Sequence, residues 1–310
     1  AAALTVAERI APRAPERITR AAGPYEVTLH ESGLAAGLVV PGEELASVNA
    51  FGHFHYESPD DPSPHFDLFP ASTTALYEVL RDEFEFVMFV LANDAKPGAL
   101  PMNGFTQRIR NDVRGLGIPL FDRSEDFGAR GGRLSTIILF TSRACLRDGP
   151  LLHEVAHRWG MNLMEAGYSW HNGFSSVGGQ LGGFDTLTAL GDGTWRATVE
   201  ARPDGLFDPA SPGEYGQKNQ IPYAPLELYT MGLAPSSEVP DVTVLEGASW
   251  VDRSSGIVAG EPRACTVAEI LRGDLAPEGA DLADWGPRDP AYPNTQRRFT
   301  ALAVYVSATA

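Results

Sequence analysis

Two imidazoles four residues apart, with a carboxylate beside the first, occur at His153-Glu154-Val155-Ala156-His157. On an α-helix a spacing of four is just over one turn, so both rings project from one face. Two imidazoles on a rigid element pre-set half of a zinc site, and Glu154 is placed to reach a water on the ion. Zinc lowers the pKa of such a water to about 7, so a carboxylate suffices to complete its deprotonation. The pattern therefore points to metal-assisted hydrolysis, with His153 and His157 as ligands, Glu154 as general base and Zn2+ as cofactor. The competing reading is a solvated helix face. The residues around the motif are apolar, however, and buried imidazole and carboxylate groups without partners would be costly.

The elements that must position these residues can be traced along the chain. Asp148 or Gly149 can cap the motif helix, Pro150 suits its first turn, and Leu151, Leu152, Val155, Ala156 and Trp159 give it an apolar face. Gly160 can end it. Ahead of it, Tyr25–His30, Leu38–Val40 and Ser47–Tyr56 read as strands and Thr74–Arg81 as a helix. Phe84–Leu91 is an apolar run broken only by Glu85, the mark of a buried central strand, and Arg133–Thr141 is a second clear strand, rich in Leu and Ile. Gly98–Gly132 between them reads as a long loop, a type of segment that is often functional. After the helix, residues 173–183 are Gly-rich. Phe184–Leu190 and Thr194–Ala201 flank Gly191-Asp192-Gly193 as a hairpin. Pro225–Met231 and Thr266–Arg272 read as short helices, the second with a capping box from Thr266 and Glu269. Arg298–Ser307 reads as a final strand. The expected layout is α+β with one mixed β-sheet, strands mostly before the central helix and irregular chain after it. Residues 1–24, interrupted by Pro12 and Pro15, are expected to be peripheral.

Composition narrows the partners. Of 310 residues, 24 are Lys or Arg and 40 are Asp or Glu, a formal net charge of −16, which leaves no basic footprint for nucleic acid or anionic lipid. No apolar run reaches the roughly 18 residues that span a bilayer. Glu8, Arg9, Arg13, Glu16 and Arg17 break up the first residues, which do not read as a signal peptide. The two cysteines, Cys145 and Cys265, can form one disulfide in an oxidising compartment or stay as two buried thiols. The disulfide is the expectation.

The segment His153–Gly160, HEVAHRWG, resembles the zincin metallopeptidases. The stretches Arg110–Gly115 and Pro225–Gly232 also look similar to segments of bacterial secreted proteins bearing this motif. The resemblance implies a zincin-like fold in which a mixed β-sheet, with a substrate-aligning edge strand, lies over the active-site helix. It places a catalytic domain at residues 25–310, with an N-terminal subdomain to about 165 and a more irregular C-terminal subdomain, 166–310. It also implies a secreted or extracytoplasmic zinc endopeptidase acting on protein or peptide substrate. The alternatives are another zinc hydrolase of narrow range, or a non-catalytic metal-containing surface or binding protein.

The third ligand stays open at this level. Metzincins carry a glycine three residues after the second histidine, matched by Gly160, and a third histidine three further on, where this chain has Leu163. His171 could serve after an inserted loop. Glu227 is the alternative if the third ligand is a carboxylate, with Glu165 and Asp185 weaker. If His171 ligates, Glu227 could instead hold an imidazole nitrogen from behind. Met231 either resembles the methionine turn beneath the metal or is a core residue. Tyr229, or Tyr168, could assist the oxyanion or be buried and structural.

Three weaker groupings complete the reading. His53 and His55 with His65, Asp60 and Asp61 could form a second metal site, or a packed strand followed by an acidic loop. Gly191-Asp192-Gly193 and the set Asp281, Asp284 and Asp289 could take Ca2+, but no EF-hand spacing is present. Gly178-Gly179 and Gly182-Gly183 are no phosphate loop, because no Lys-Ser/Thr follows.

Overall fold

A computed structural model describes residues 70–92, 104–160, 162–164, 171–200, 205–209 and 218–307 with their side chains, and five strands between residues 18 and 67 by their backbone. The chain divides into two compact units. One draws on Ala1–Arg110, Phe121–Leu146 and Arg298–Ala310, the other on Asn111–Leu120 and Arg147–Arg297.

The first unit is built on seven strands. These are β1 (Ile18–Ala22), β2 (Tyr25–Leu29), β3 (Ala35–Val39), β6 (Phe86–Leu91), β7 (Gly104–Arg108), β10 (Thr136–Phe140) and β15 (Ala301–Ser307). Their spatial order is β1-β2-β3-β15-β6-β10-β7. The four inner strands β3, β15, β6 and β10 run parallel, and the flanking pairs are antiparallel. The mixed sheet is thus present. Strand β15, which the sequence reading groups with the C-terminal part, lies at its centre. A separate antiparallel pair joins β4 (His53–His55) to β5 (His65–Asp67).

Parallel register explains the apolar runs. Val87 pairs with Ile137 and Leu302, and Phe89 with Leu139 and Val304, so one face forms apolar rows across three strands. Leu76 of α1 (Pro70–Tyr77) belongs to the same buried cluster. Phe86, Val90, Ile138 and Phe140, on the alternate positions, are buried too. A strand buried on both faces needs apolar residues throughout, hence the unbroken run. Glu85 is buried beside them. It accepts the Thr300 N–H at 2.7 Å and pairs with Arg133 at 2.5 Å, fastening the entry to β15. Phe89 is fully buried, and Phe89→Ala is expected to cost about 3–5 kcal/mol, read from urea unfolding.

Short elements of the middle chain are β8 (Arg110–Asn111), β9 (Phe121–Asp122), a 3-10 turn at Ser124–Phe127 and α2 (Ala144–Asp148). The second unit contains α3 (Leu151–Ala156), β11 (Thr186–Gly191), β12 (Thr194–Thr198), α4 (Pro225–Thr230), β13 (Val242–Asp252), β14 (Ile257–Cys265) and α5 (Val267–Arg272). Strands β11-β12-β14-β13 form an antiparallel sheet in that order. The expectation of irregular chain after the motif helix is therefore corrected. Bulges at Glu246/Ser249 and Trp250/Asp252, together with Gly247, Gly260 and Pro262, break the alternation that would have announced β13 and β14. The β11–β12 hairpin turns at 191–193 as expected. The capping box of α5 is also formed: Glu269 N–H donates to Thr266 Oγ1, and Thr266 N–H to Glu269 Oε2 at 2.7 Å.

Cys145 and Cys265 are both buried free thiols, which corrects the expected disulfide. Cys145 Sγ lies 3.4 Å from Ser142 Oγ, and Cys265 packs among Val242, Val244 and Ile270. Each thiol behaves as a small core group in its own surroundings. No helix among the described residues is long and apolar enough to cross a membrane.

Candidate metal centre

Helix α3 is short, and a helix starts with N–H groups that have no partner within it. Its cap is Pro150, with no side-chain cap bond, so the capping expected from Asp148 or Gly149 is not what the structure uses. Asn219 does this work: its Oδ1 accepts the Leu152 N–H at 3.0 Å. Tyr223 donates its hydroxyl to the Leu152 carbonyl at 2.8 Å. Burial, and then the nearby Glu227 carboxylate, push the Tyr223 phenol well above its ordinary value, so it stays a donor. Sequence reasoning identified neither residue, because an amide or phenol reaching from a distant segment has no local signature.

His153 sits within α3. His157 is its C-cap and keeps helical angles, φ −58° and ψ −18°, so the one-turn relation between the rings survives past the last helical residue. Beyond Gly160 the chain departs from the helical path. It returns through a segment that closes on itself: Asn172 N–H donates to the Leu181 carbonyl at 2.7 Å, and Phe184 N–H to the Ser175 carbonyl at 2.7 Å. That closure carries His171 to the helix pair. His157 Nε2 lies 3.1 Å and His171 Nε2 3.3 Å from His153 Nε2. The three ligand atoms all fall within 4.8 Å of one another.

The two separations from His153 Nε2 are those of a coordination shell. Zn–N bonds of about 2.0–2.1 Å in a tetrahedron put ligand nitrogens about 3.3 Å apart. Three nitrogens brought so close with lone pairs converging repel one another unless a cation or proton lies between them. Imidazole donors suit zinc among biological divalent ions, and hard oxygen-seeking ions such as Ca2+ far less. The residues present thus fit the ion implied by the motif. His153 and His157 are buried, His171 is half-buried, and Glu154, next to the first ligand, is buried at 4% exposure.

His153 Nδ1 lies 2.5 Å from the Gln180 carbonyl oxygen. A carbonyl can only accept, so this ring nitrogen carries the proton and Nε2 is left as the ligand atom.

Glu227, the alternative third ligand, is elsewhere engaged. Its Oε1 accepts Leu181 N–H at 2.6 Å and Asn172 Nδ2–H at 3.2 Å, and its Oε2 accepts Gln180 N–H and Ala224 N–H, both at 2.9 Å. The carboxyl is fully buried. Burial drives its pKa up, to about 7, against the downward pull of these four donors. It does not join the imidazole group. The structure brings His171, rather than Glu227, to the helix pair.

The other candidates fall outside the group. Tyr229 is buried among Leu163, Met164 and Leu226, and its hydroxyl accepts the Arg288 N–H at 2.8 Å. Met231 is a buried residue at the end of α4, where its carbonyl accepts from Arg288. Asp185 accepts the Glu200 N–H at 2.6 Å. Glu165, Tyr168, Asp60 and Asp61 lie outside the described residues, as do the side chains of His53, His55 and His65. Among the described residues, the three histidines are the one group of three or more His, Cys, Asp or Glu with converging ligand atoms. Residues 191–193 are a hairpin turn, and Asp281 caps a short 3-10 helix through Ala283 N–H; neither belongs to such a group.

Gly160 is required by packing. A Cβ built on it would stand 2.3 Å from Leu181 Cδ1, and Leu181 is fully buried. Gly160→Ala is expected to lower stability by about 1–3 kcal/mol, measured by denaturant titration of the metal-free protein. It should also weaken zinc binding, because the displaced residue follows the carbonyl that holds His153.

No family model matches this chain, and no curated protein or solved structure is found similar to it.

Proposed function

We propose that this chain is a zinc-dependent endopeptidase that works outside the cytoplasm. The observation that carries the reading is the convergence of His153, His157 and His171 Nε2 at zinc-ligand spacing, with Glu154 adjoining the first on α3. Zinc, when bound there, supplies Lewis acidity toward a carbonyl and acidifies water. The protein's own share is to hold three neutral imidazoles with Nε2 inward and to move a proton. A Glu154 carboxylate oxygen takes a proton from the attacking water and then delivers it to the leaving amine. Tyr229, whose hydroxyl accepts the Arg288 N–H and keeps its own proton to donate, is not called on in this scheme, in which the ion polarises the carbonyl. The free cysteines suit either compartment, so the location rests on the resemblance of the motif.

Burial of Glu154 and of both helix ligands also accommodates a second reading, a metal-containing protein without turnover. One experiment separates the two. Under the first, casein and a peptide library are cleaved, a chelator abolishes cleavage, and added Zn2+ restores it. Full zinc occupancy without cleavage of any peptide would leave the second reading, or a hydrolase of narrow range.

A further inference from the structure

The hydrogen bonds around Glu227 and those around His153 share a single peptide unit. The carbonyl of Gln180 faces His153 Nδ1 at 2.5 Å. The N–H of the same peptide group, on Leu181, donates to Glu227 Oε1 at 2.6 Å. A peptide whose N–H binds a carboxylate has a more negative carbonyl oxygen, and chains of this kind polarise from end to end. The four N–H groups around Glu227 are arranged for its ionised form, and in that form its negative charge is conveyed to the imidazole without contact between the two side chains.

We propose that Glu227 is a positioning residue for the metal centre. Acting through the Gln180–Leu181 peptide, it fixes His153 in the Nδ1–H tautomer and turns Nε2 inward. The inference rests on the zinc reading for its purpose, though the tautomer it specifies exists without metal. Three further features serve this arrangement. Gln180 N–H donates to Glu227 Oε2, so the carboxylate grips successive amides on both sides of Gln180. Gln180 Nε2 donates to the Ile221 carbonyl at 2.5 Å, which fastens the same residue through its side chain. Gly179 permits the approach, since a Cβ there would stand 2.2 Å from Glu227 Oε2. Placement on α4 adds rigidity: Ala224 N–H bonds back to Glu227 at the helix start, and Arg288 caps the far end through the Thr230 carbonyl at 2.7 Å.

Metal-coordinating histidines commonly give their second nitrogen to a carboxylate or a carbonyl, and losing such a partner weakens metal binding about 10- to 100-fold. Here the carboxylate and the carbonyl act in series. Glu227→Gln keeps the shape of the side chain, but its amide nitrogen cannot accept a hydrogen bond and the charge is gone.

The test uses the full chain labelled with 15N in histidine and stripped of metal. Long-range 1H–15N correlation spectra report the tautomer of each ring, and zinc titration reports affinity. For the unaltered protein, His153 is expected as a single Nδ1–H tautomer. In Glu227→Gln the ring is expected to populate both tautomers, with zinc bound about 10- to 100-fold more weakly. Restoring the carboxylate with Glu227→Asp should recover part of each effect. Should Glu227→Gln fail to fold, Gly179→Ala carries the same test, because it displaces the carboxylate while keeping its charge. An Nε2–H tautomer in the unaltered protein, or an unchanged ring and affinity in a folded Glu227→Gln, overturns the proposal and leaves the zinc reading standing. Failure of the unaltered protein to bind zinc, with the tautomer still shifting in the variant, removes the zinc reading and supports the positioning.

Discussion

Glu154→Gln should abolish most peptide hydrolysis while leaving one zinc per chain. The substitution preserves size and hydrogen-bonding reach but replaces a group that can accept a proton with one that cannot. General base and acid roles of this kind typically contribute about 10²–10⁴-fold in rate, and the same carboxylate is proposed to serve in both directions. The loss should appear in kcat far more than in KM, because the altered group acts on water and the leaving amine rather than on substrate binding. Initial rates on a fluorogenic peptide, with zinc content fixed by elemental analysis, give the comparison. A fully active, zinc-loaded Glu154→Gln protein would show that another group handles the proton.

His157→Ala should have the opposite signature, with the metal lost first and activity following it. Apparent zinc affinities of small protein sites amount to about 10–16 kcal/mol shared among the ligands. Removing one nitrogen therefore costs about 3–4 kcal/mol, or about 10²–10³-fold in dissociation constant. His157 is the C-cap of α3 and makes no contribution to the capping supplied by Asn219 and Tyr223 at the other end. The metal-free variant should accordingly unfold within about 1 kcal/mol of the metal-free parent, since removing one of three crowded imidazoles relieves repulsion as well as packing. Unchanged zinc content by elemental analysis would remove His157 from the site.

What could be read from the sequence follows the range of the interactions. The His153–His157 pair and Glu154 are one turn apart, so their relation is local and the motif suffices. His171 could be named only beside Glu227, because choosing between them depends on how residues 172–184 close. Gln180 was not identified at all: its contribution to His153 is a backbone carbonyl, and any residue type supplies one. Glu227 was noted as a possible ligand for its charge, whereas its actual partners are four N–H groups from three different stretches of chain. The fold shows the same division. Strands β6 and β10, buried on both faces, announced themselves as apolar runs. Strand β7, GFTQR, is half-buried along its length and lies at the sheet edge, so neither alternation nor an apolar run marks it. Cys145 and Cys265 read as a pair only by number, and each is accounted for by its own core.

The position of β15 bears on the order in which the molecule can assemble during translation. Between β3 and β6 the sheet has a gap that only Ala301–Ser307 fills, and both of its neighbours were synthesised long before. Until the ribosome has delivered those residues, β3 and β6 expose unpaired edges, the kind of surface that chaperones shield in nascent chains. The stretch Arg147–Arg297, made in the interval, needs no strand from later in the chain for its own four-stranded sheet. The part of the protein holding the three histidines can therefore mature first, reversing the usual amino-to-carboxyl sequence of folding on the ribosome.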